Sequence, residues 1–209
     1  VTTSNTYTVT VTDANACSTT ASTTVTVNAP PSASANNNSP ICLGGTVNLT
    51  ASGGTSYVWS GAGIATHNQQ NQTLTPSTAG SFTYVVTVTD ANGCSSTAST
   101  TVTVNAPPVP IINGGGAICS GANVTLSTAT TYNTYVWSGN SSTSQTAIYN
   151  NVTIPTTYTV TVTDSNNCIA TASTNITITP LPTATISGTT SICSGNMANI
   201  TFNGTPNSV

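Results

Sequence analysis

From Tyr84 to Thr89 two sets of residues alternate, Tyr84, Val86 and Val88 with Val85, Thr87 and Thr89. A period of two predicts a strand with one buried face. Asp90, Ala91, Asn92 and Gly93 follow. That is a turn signature: Asn and Gly tolerate positive φ, and Asp hydrogen-bonds to the backbone ahead of it. The chain returns through a second alternation ending Val102-Thr103-Val104. It then runs into Asn105, Ala106, Pro107 and Pro108, which cannot continue a ladder. Ser81–Pro108 therefore predicts a β-hairpin that ends in a Pro-containing linker, and the same pattern recurs at Asn5–Pro31 and Thr156–Pro182.

The recurrence extends beyond the hairpin. Cys17, Cys94 and Cys168 each close a D-x-N-x-C motif, and Cys42, Cys119 and Cys193 each sit in an I-C-x-G motif; both series are spaced by 77 and then 74 residues. A period of about 75 suits a small β-sandwich better than a solenoid repeat. One complete repeat occupies residues 29–105. Strands are expected within Ser32–Asn38, at Thr46–Ser52 with Val47, Leu49 and Ala51 inward, at Ser56–Ser60 around Tyr57-Val58-Trp59, and near Gln72–Thr75, before the closing hairpin. Pro40–Gly45 reads as a turn leading straight into the second strand. Gly61–Asn71 reads as a polar stretch with at most one short strand. A second complete repeat, 106–179, places Val124 and Leu126, Tyr135-Val136-Trp137, a strand near Ala147–Ile154, and Tyr158, Val160 and Val162 at matching positions. Residues 1–28 match only a closing hairpin and 180–209 only a pair of opening strands, as expected of a window onto a longer array. The fold class expected is all-β, a tandem array of Ig-like β-sandwich domains.

Composition narrows the function. The 209 residues include no Lys or Arg, three acidic residues and one His, so 1% of the chain is charged against roughly a quarter in an average globular protein. Nothing neutralises phosphates, which argues against nucleic acid as a partner. A polybasic membrane contact fails for the same reason. No apolar run approaches the roughly 20 residues of a membrane helix. Thr, Ser, Asn and Gly take the place of charge at the surface, and Thr favours strands.

The candidate chemistry is sparse. His67 is the sole His and lacks an equivalent in the second repeat, so no catalytic base–nucleophile pair is expected, and the chain reads as a non-enzyme. Asp13, Asp90 and Asp164 occupy one repeat position each, beside an Asn. Calcium needs several oxygen ligands, so these acids read as turn formers and no metal or cofactor is expected. The cysteines show no C-x-x-C pair. Trp59, Trp137, Tyr84 and Tyr158 fall on strands and are assigned to the cores; stacking of exposed Trp on sugar rings is the alternative. Sequons such as Asn48-Leu49-Thr50 and Asn123-Val124-Thr125 are no more frequent than so much Ser and Thr predicts. The Thr-x-Thr rows raise ice binding, which a twisted sandwich sheet serves poorly.

The run I-C-x-G-x-x-V-x-L, then Y-V-W-S-G, then T-Y-x-V-x-V-T-D-x-N-x-C resembles the Ig-like and PKD-like repeats of very large Bacteroidetes surface proteins, including gliding-motility adhesins exported by the type IX route. The resemblance covers essentially all 209 residues. It implies an extracellular or cell-surface location and a role as stalk, adhesin or filament module. The function expected is a structural stalk or filament segment of a large bacterial adhesin, with copies of itself or neighbouring repeats as partners. The alternative is a glycan-binding surface module whose recognition loop would be Gly61–Asn71.

An extracellular chain with six cysteines is expected to form disulfides. Pairing within a repeat, Cys42–Cys94 and Cys119–Cys168, is the obvious choice. In an Ig-like sandwich, however, the two motifs lie at opposite poles, roughly 20 Å apart, whereas a disulfide needs Cα atoms within about 7 Å. The favoured pairing is therefore Cys42 with Cys168, across the junction of neighbouring repeats. Cys17, Cys94, Cys119 and Cys193 would then pair with repeats beyond the window. An unusual path of the first strand would restore the pairing within a repeat.

Overall fold

The computed structural model describes residues 2–65 and 68–204; His67 lies outside the described residues. Every regular element among them is a strand, and the chain divides into two compact units, Val1–Ala106 and Pro107–Val209.

The first unit opens with a hairpin of β1 (Asn5–Thr12) and β2 (Ser18–Val25). Its sandwich follows as β3 (Ser34–Asn37), β4 (Ile41–Cys42), β5 (Val47–Ser52), β6 (Ser56–Ser60), β7 (Asn71–Leu74), β8 (Gly80–Thr89) and β9 (Ser95–Asn105). One sheet has the order β3-β5-β7 and the other β4-β9-β8-β6. All these pairs are antiparallel except β4 with β9, which is parallel. Two sheets of three and four strands with this order define an immunoglobulin-type sandwich.

The second unit repeats the plan with β10 (Ile112–Asn113), β11 (Gly116–Cys119), β12 (Ala122–Thr128), β13 (Thr134–Trp137), β14 (Thr146–Val152), β15 (Thr156–Thr163) and β16 (Ile169–Thr179). Its sheets run β10-β12-β14 and β11-β16-β15-β13, with β11 parallel to β16. β17 (Ala184–Gly188) and β18 (Ile200–Gly204) then form a separate antiparallel pair.

The alternation of side chains decides what is buried. In β5, Val47, Leu49 and Ala51 point inward and the residues between them outward; in β8, Tyr84, Val86 and Val88 do the same. Trp59, Leu74, Val102 and Val104 complete that core. Val124, Leu126, Trp137, Tyr149, Tyr158, Val160, Val162 and Ile176 build the second. Both Trp indoles are buried, with Nε1 donating to the carbonyl of Gln70 (3.1 Å) or Ser144 (3.0 Å), so neither ring is presented to a sugar.

One local expectation needs correction. Pro40–Gly45 is not simply a turn into the second strand: Ile41 and Cys42 form β4, beside Val104 and Asn105 of β9. Cys42 thus ends a strand on one sheet, and β5 begins five residues later on the other. The first strand switches sheets because polar side chains hold the crossing. Asn37 Nδ2 donates to Thr100 Oγ1 (2.6 Å) and to the Thr101 carbonyl (2.9 Å), and Ser39 Oγ accepts from the Thr103 N–H at 2.6 Å. Asn38 bridges to β5, donating to the Thr46 carbonyl and accepting from the Asn48 N–H.

Candidate functional site

The chemistry of the chain is concentrated in its cysteines, and two local devices place them. The first is the Asp turn. Asp90 Oδ1 accepts from the N–H groups of Asn92 and Cys94, both at 2.9 Å, while the Asp90 N–H donates to the Cys94 carbonyl and the Gly93 N–H to the Asp90 carbonyl. Asp13 and Asp164 make the same set with Asn15 and Cys17 and with Asn166 and Cys168. One carboxylate oxygen is thus used to close each turn, and among the described residues no group of three or more acids, His or Cys is placed to hold a metal. The left-handed residue is the one before Cys, at Ala16, Gly93 and Asn167, and not the preceding Asn.

The second device is the short parallel strand. β4 sets Cys42 opposite Asn105, the last residue of β9, and β11 sets Cys119 opposite Thr179, the last residue of β16. Cys94 and Cys168 immediately precede the first residues of those same strands. The two cysteines of one unit are therefore separated by the length of an eleven-residue strand, about 35 Å at roughly 3.3 Å per residue. The sequence-based figure of 20 Å was too short because it assumed that Cys42 begins β5. A disulfide within a unit is out of reach by a factor of about five. Cys42 and Cys168 each take part in a disulfide, whereas Cys17, Cys94, Cys119 and Cys193 are free. Cys94 Sγ lies 3.8 Å from the Asn28 carbonyl, where the chain approaches the sandwich.

Two residues that sequence reasoning passed over support the cores. Gln70 Nε2 donates to the Ala51 carbonyl (2.9 Å) and Gln145 Nε2 to the Thr128 carbonyl (2.7 Å), each satisfying backbone at a sheet end. The available signal was positional: each Gln directly precedes its strand, β7 or β14.

Among the described residues, neither sandwich presents an exposed aromatic platform for a sugar. A groove of about 380 Å³ in the second unit is lined by Asn140, Ile148, Tyr149, Asn151, Ile154 and Tyr158, among others. The Tyr149 and Tyr158 rings are buried against each other at 3.9 Å. Asn140 is engaged with Ile148 and Ser142. On the outer faces of the hairpins the hydroxyls pair across strands, as in Thr6–Thr24 (3.0 Å) and Thr159–Ser173 (3.1 Å).

The fold defines the chain as an all-β protein of immunoglobulin-type sandwiches, each carrying one cysteine at either pole. No protein-family model and no curated protein matches the sequence. Among solved structures it is similar to the fibronectin(III)-like modules of Clostridium thermocellum CbhA, at 10% identity over 70% of this chain and 95% of that one, with a TM-score of 0.36. It is similar also to a Ca2+-stabilised, ice-binding adhesin of an Antarctic bacterium, at 15% identity over 90% of this chain and 60% of that one (TM-score 0.38). A third is the N-terminal Ig1-2 module of the Drosophila receptor protein tyrosine phosphatase DLAR, at 17% identity over 72% of this chain and all of that one (TM-score 0.28). The strand order of the two sheets in each unit defines the fold class.

Proposed function

We propose that this chain is a segment of an extracellular bacterial stalk or filament, in which sandwich repeats are joined by disulfides as well as by the peptide chain. The observation that carries the reading is the placement of the cysteines at opposite ends of β9 and of β16, which leaves bonding between repeats as the use for them. Oxidised cysteines point to a compartment outside the reducing cytosol. Cys42 with Cys168 is the bridge, joining the exit pole of one repeat to the hairpin turn of the next. The same rule assigns Cys17, Cys94, Cys119 and Cys193 to the equivalent cysteines of further repeats. Residues 29–105 and 106–179 are complete repeats, and 1–28 and 180–209 belong to their neighbours. Linkers such as Asn105–Pro108 hold two Pro residues and limit bending. With a formal net charge of −3 on 209 residues, neighbouring chains barely repel, and copies of the stalk or adjacent repeats are its expected partners.

A digest tests the bridge. The only three acidic residues are Asp13, Asp90 and Asp164, so cleavage before Asp separates Cys42, Cys94 and Cys168 onto three fragments. The non-reduced digest is expected to join 13–89 to 164–209. A digest joining 13–89 to 90–163 overturns the reading.

A further inference from the structure

The position of each unit's cysteines relative to its own chain has a mechanical consequence, and it rests on the bridge proposed above. In the first unit the chain enters past Asn28, beside Cys94, and leaves after Asn105, beside Cys42. Each pole thus holds one end of the chain and one cysteine. Two short segments connect the poles: Asn28–Cys42, which contains β3 and β4, and Cys94–Asn105, which contains β9. Everything between Cys42 and Cys94 is a covalent detour. It holds β5, β6, β7 and β8, and with them Val47, Leu49, Trp59, Tyr84 and Val86 of the core. The second unit is built alike, with β10 and β11 on one short segment, β16 on the other and β12–β15 in the detour.

We propose that each repeat is a length-limited mechanical coupler: once its cysteines are bonded to neighbouring repeats, tension runs through β3–β4 and β9 and bypasses the β5–β8 core, which stays folded. The two segments are already extended. Pulled taut at about 3.5 Å per residue, their roughly 12 to 15 residues reach about 45 Å, only about 10 Å beyond the folded span. An uncrosslinked repeat of about 75 residues would release more than 200 Å on the same scale. The side chains of Asn37 and Ser39 tie β3–β4 to Thr100, Thr101 and Thr103 of β9, so the two segments share the load. β4 and β9 are parallel and are pulled the same way from the same poles, so the ladder between them is not unzipped bond by bond.

The experiment holds the 209-residue chain by its two ends in a force spectrometer, with the four free thiols alkylated. In the oxidised chain the taut path crosses from Cys42 to Cys168, loading the first unit through β3–β4 and the second through β16. About 125 residues, 43–167, are then hidden, roughly 45 nm of contour. Reductant added under force is expected to give a short step, followed by two separate unfolding steps of about 20 nm each as the still-folded cores yield. One undivided jump of about 45 nm means the cores were lost while β3–β4 and β16 carried the load, and it overturns the coupler. A hidden length near 18 nm, that of a Cys42–Cys94 loop, instead overturns the bridge itself. The Cys42→Ser chain is expected to show two long unfolding steps that reductant does not change; dependence on reductant in that variant would also overturn the bridge.

Discussion

The β1–β2 hairpin and the β8–β9 hairpin are nearly the same sequence in the same register. Tyr7 faces Thr23 and Val9 faces Ala21 in one; Tyr84 faces Thr100 and Val86 faces Ala98 in the other. Their turns share the same Asp hydrogen bonds. Yet Tyr7, Val9 and Val11 are 46%, 57% and 60% exposed, whereas Tyr84, Val86 and Val88 are at 1% or less. The β17–β18 pair tells the same story, since Thr185 opposite Asn203 repeats the Ser34–Ser52 register of β3–β5 while Ile186 and Phe202 stay exposed. Register is therefore written locally, in turn chemistry and cross-strand pairs. Stability comes from the strands that cover the apolar face, and a lone two-stranded ribbon is marginal.

The sharpest way to break the comparison is to truncate the same Tyr in both hairpins. Tyr84→Ala empties a fully packed site and is expected to cost about 3–5 kcal/mol, as large aromatic truncations in cores do. Tyr7→Ala is expected to change stability by less than about 0.5 kcal/mol. Urea unfolding followed by Trp fluorescence reads both, and a Tyr7 effect as large as that of Tyr84 would mean that β1–β2 has a cover of its own. The turn acids give the next effect. Asp90→Ala removes two acceptor contacts to backbone N–H groups and is expected to cost about 1–2 kcal/mol. Asp13→Ala removes the same contacts but should leave the Trp-monitored transition unmoved, speeding amide exchange only within β1–β2.

What the sequence made legible follows the same division. The alternation in Tyr84–Val88 and Val47–Ala51, the paired strands around Asp90, and both buried Trp could be read directly, because each depends on neighbours along the chain or on one face of one strand. The short strand β4 could not be read from pattern. Two residues show no period, and their pairing with β9 depends on Asn37 and Ser39 meeting backbone more than sixty residues away. That one element moved Cys42 to the far end of β9 and lengthened the separation of the cysteines. Gln70 and Gln145 were invisible for a similar reason: their partners are carbonyls on a different strand.

Alkali should separate covered from bare hairpins without mutation. Burial holds the Tyr84 phenol above its ordinary value near 10. Tyr149 is likewise raised by burial and then by the neighbouring Tyr158 charge, and its hydroxyl donates to the Ser138 carbonyl at 2.8 Å. A phenol whose folded value is raised stabilises fully below pH 10 and loses that contribution as pH climbs through the folded value. Both sandwiches are thus expected to weaken above pH 10, with a midpoint in urea that falls as the pH rises from there. An unchanged midpoint above pH 10 would show that the phenols ionise without disturbing the cores.

The smallest expected effect lies at the left-handed turn position, which the three copies fill differently: Ala16 at φ 63°, Gly93 at φ 80° and Asn167 at φ 61°. A side chain at Gly93 would meet nothing within 4 Å, so only the backbone distinguishes the three residues. An L-residue with a Cβ loses roughly 1 kcal/mol in this conformation, and Asn loses less because its amide bonds locally. Gly93→Ala is therefore expected to destabilise the first unit by about 1 kcal/mol and Gly93→Asn by about half of that. The reciprocal change, Ala16→Gly, should relieve the same strain, yet it acts on a hairpin whose Tyr and Val face is bare. Its gain is expected to appear as slower amide exchange across Thr12–Ser18 and not in the Trp-monitored midpoint. If Gly93→Asn cost as much as Gly93→Ala, Asn would hold no advantage over Ala at this left-handed position.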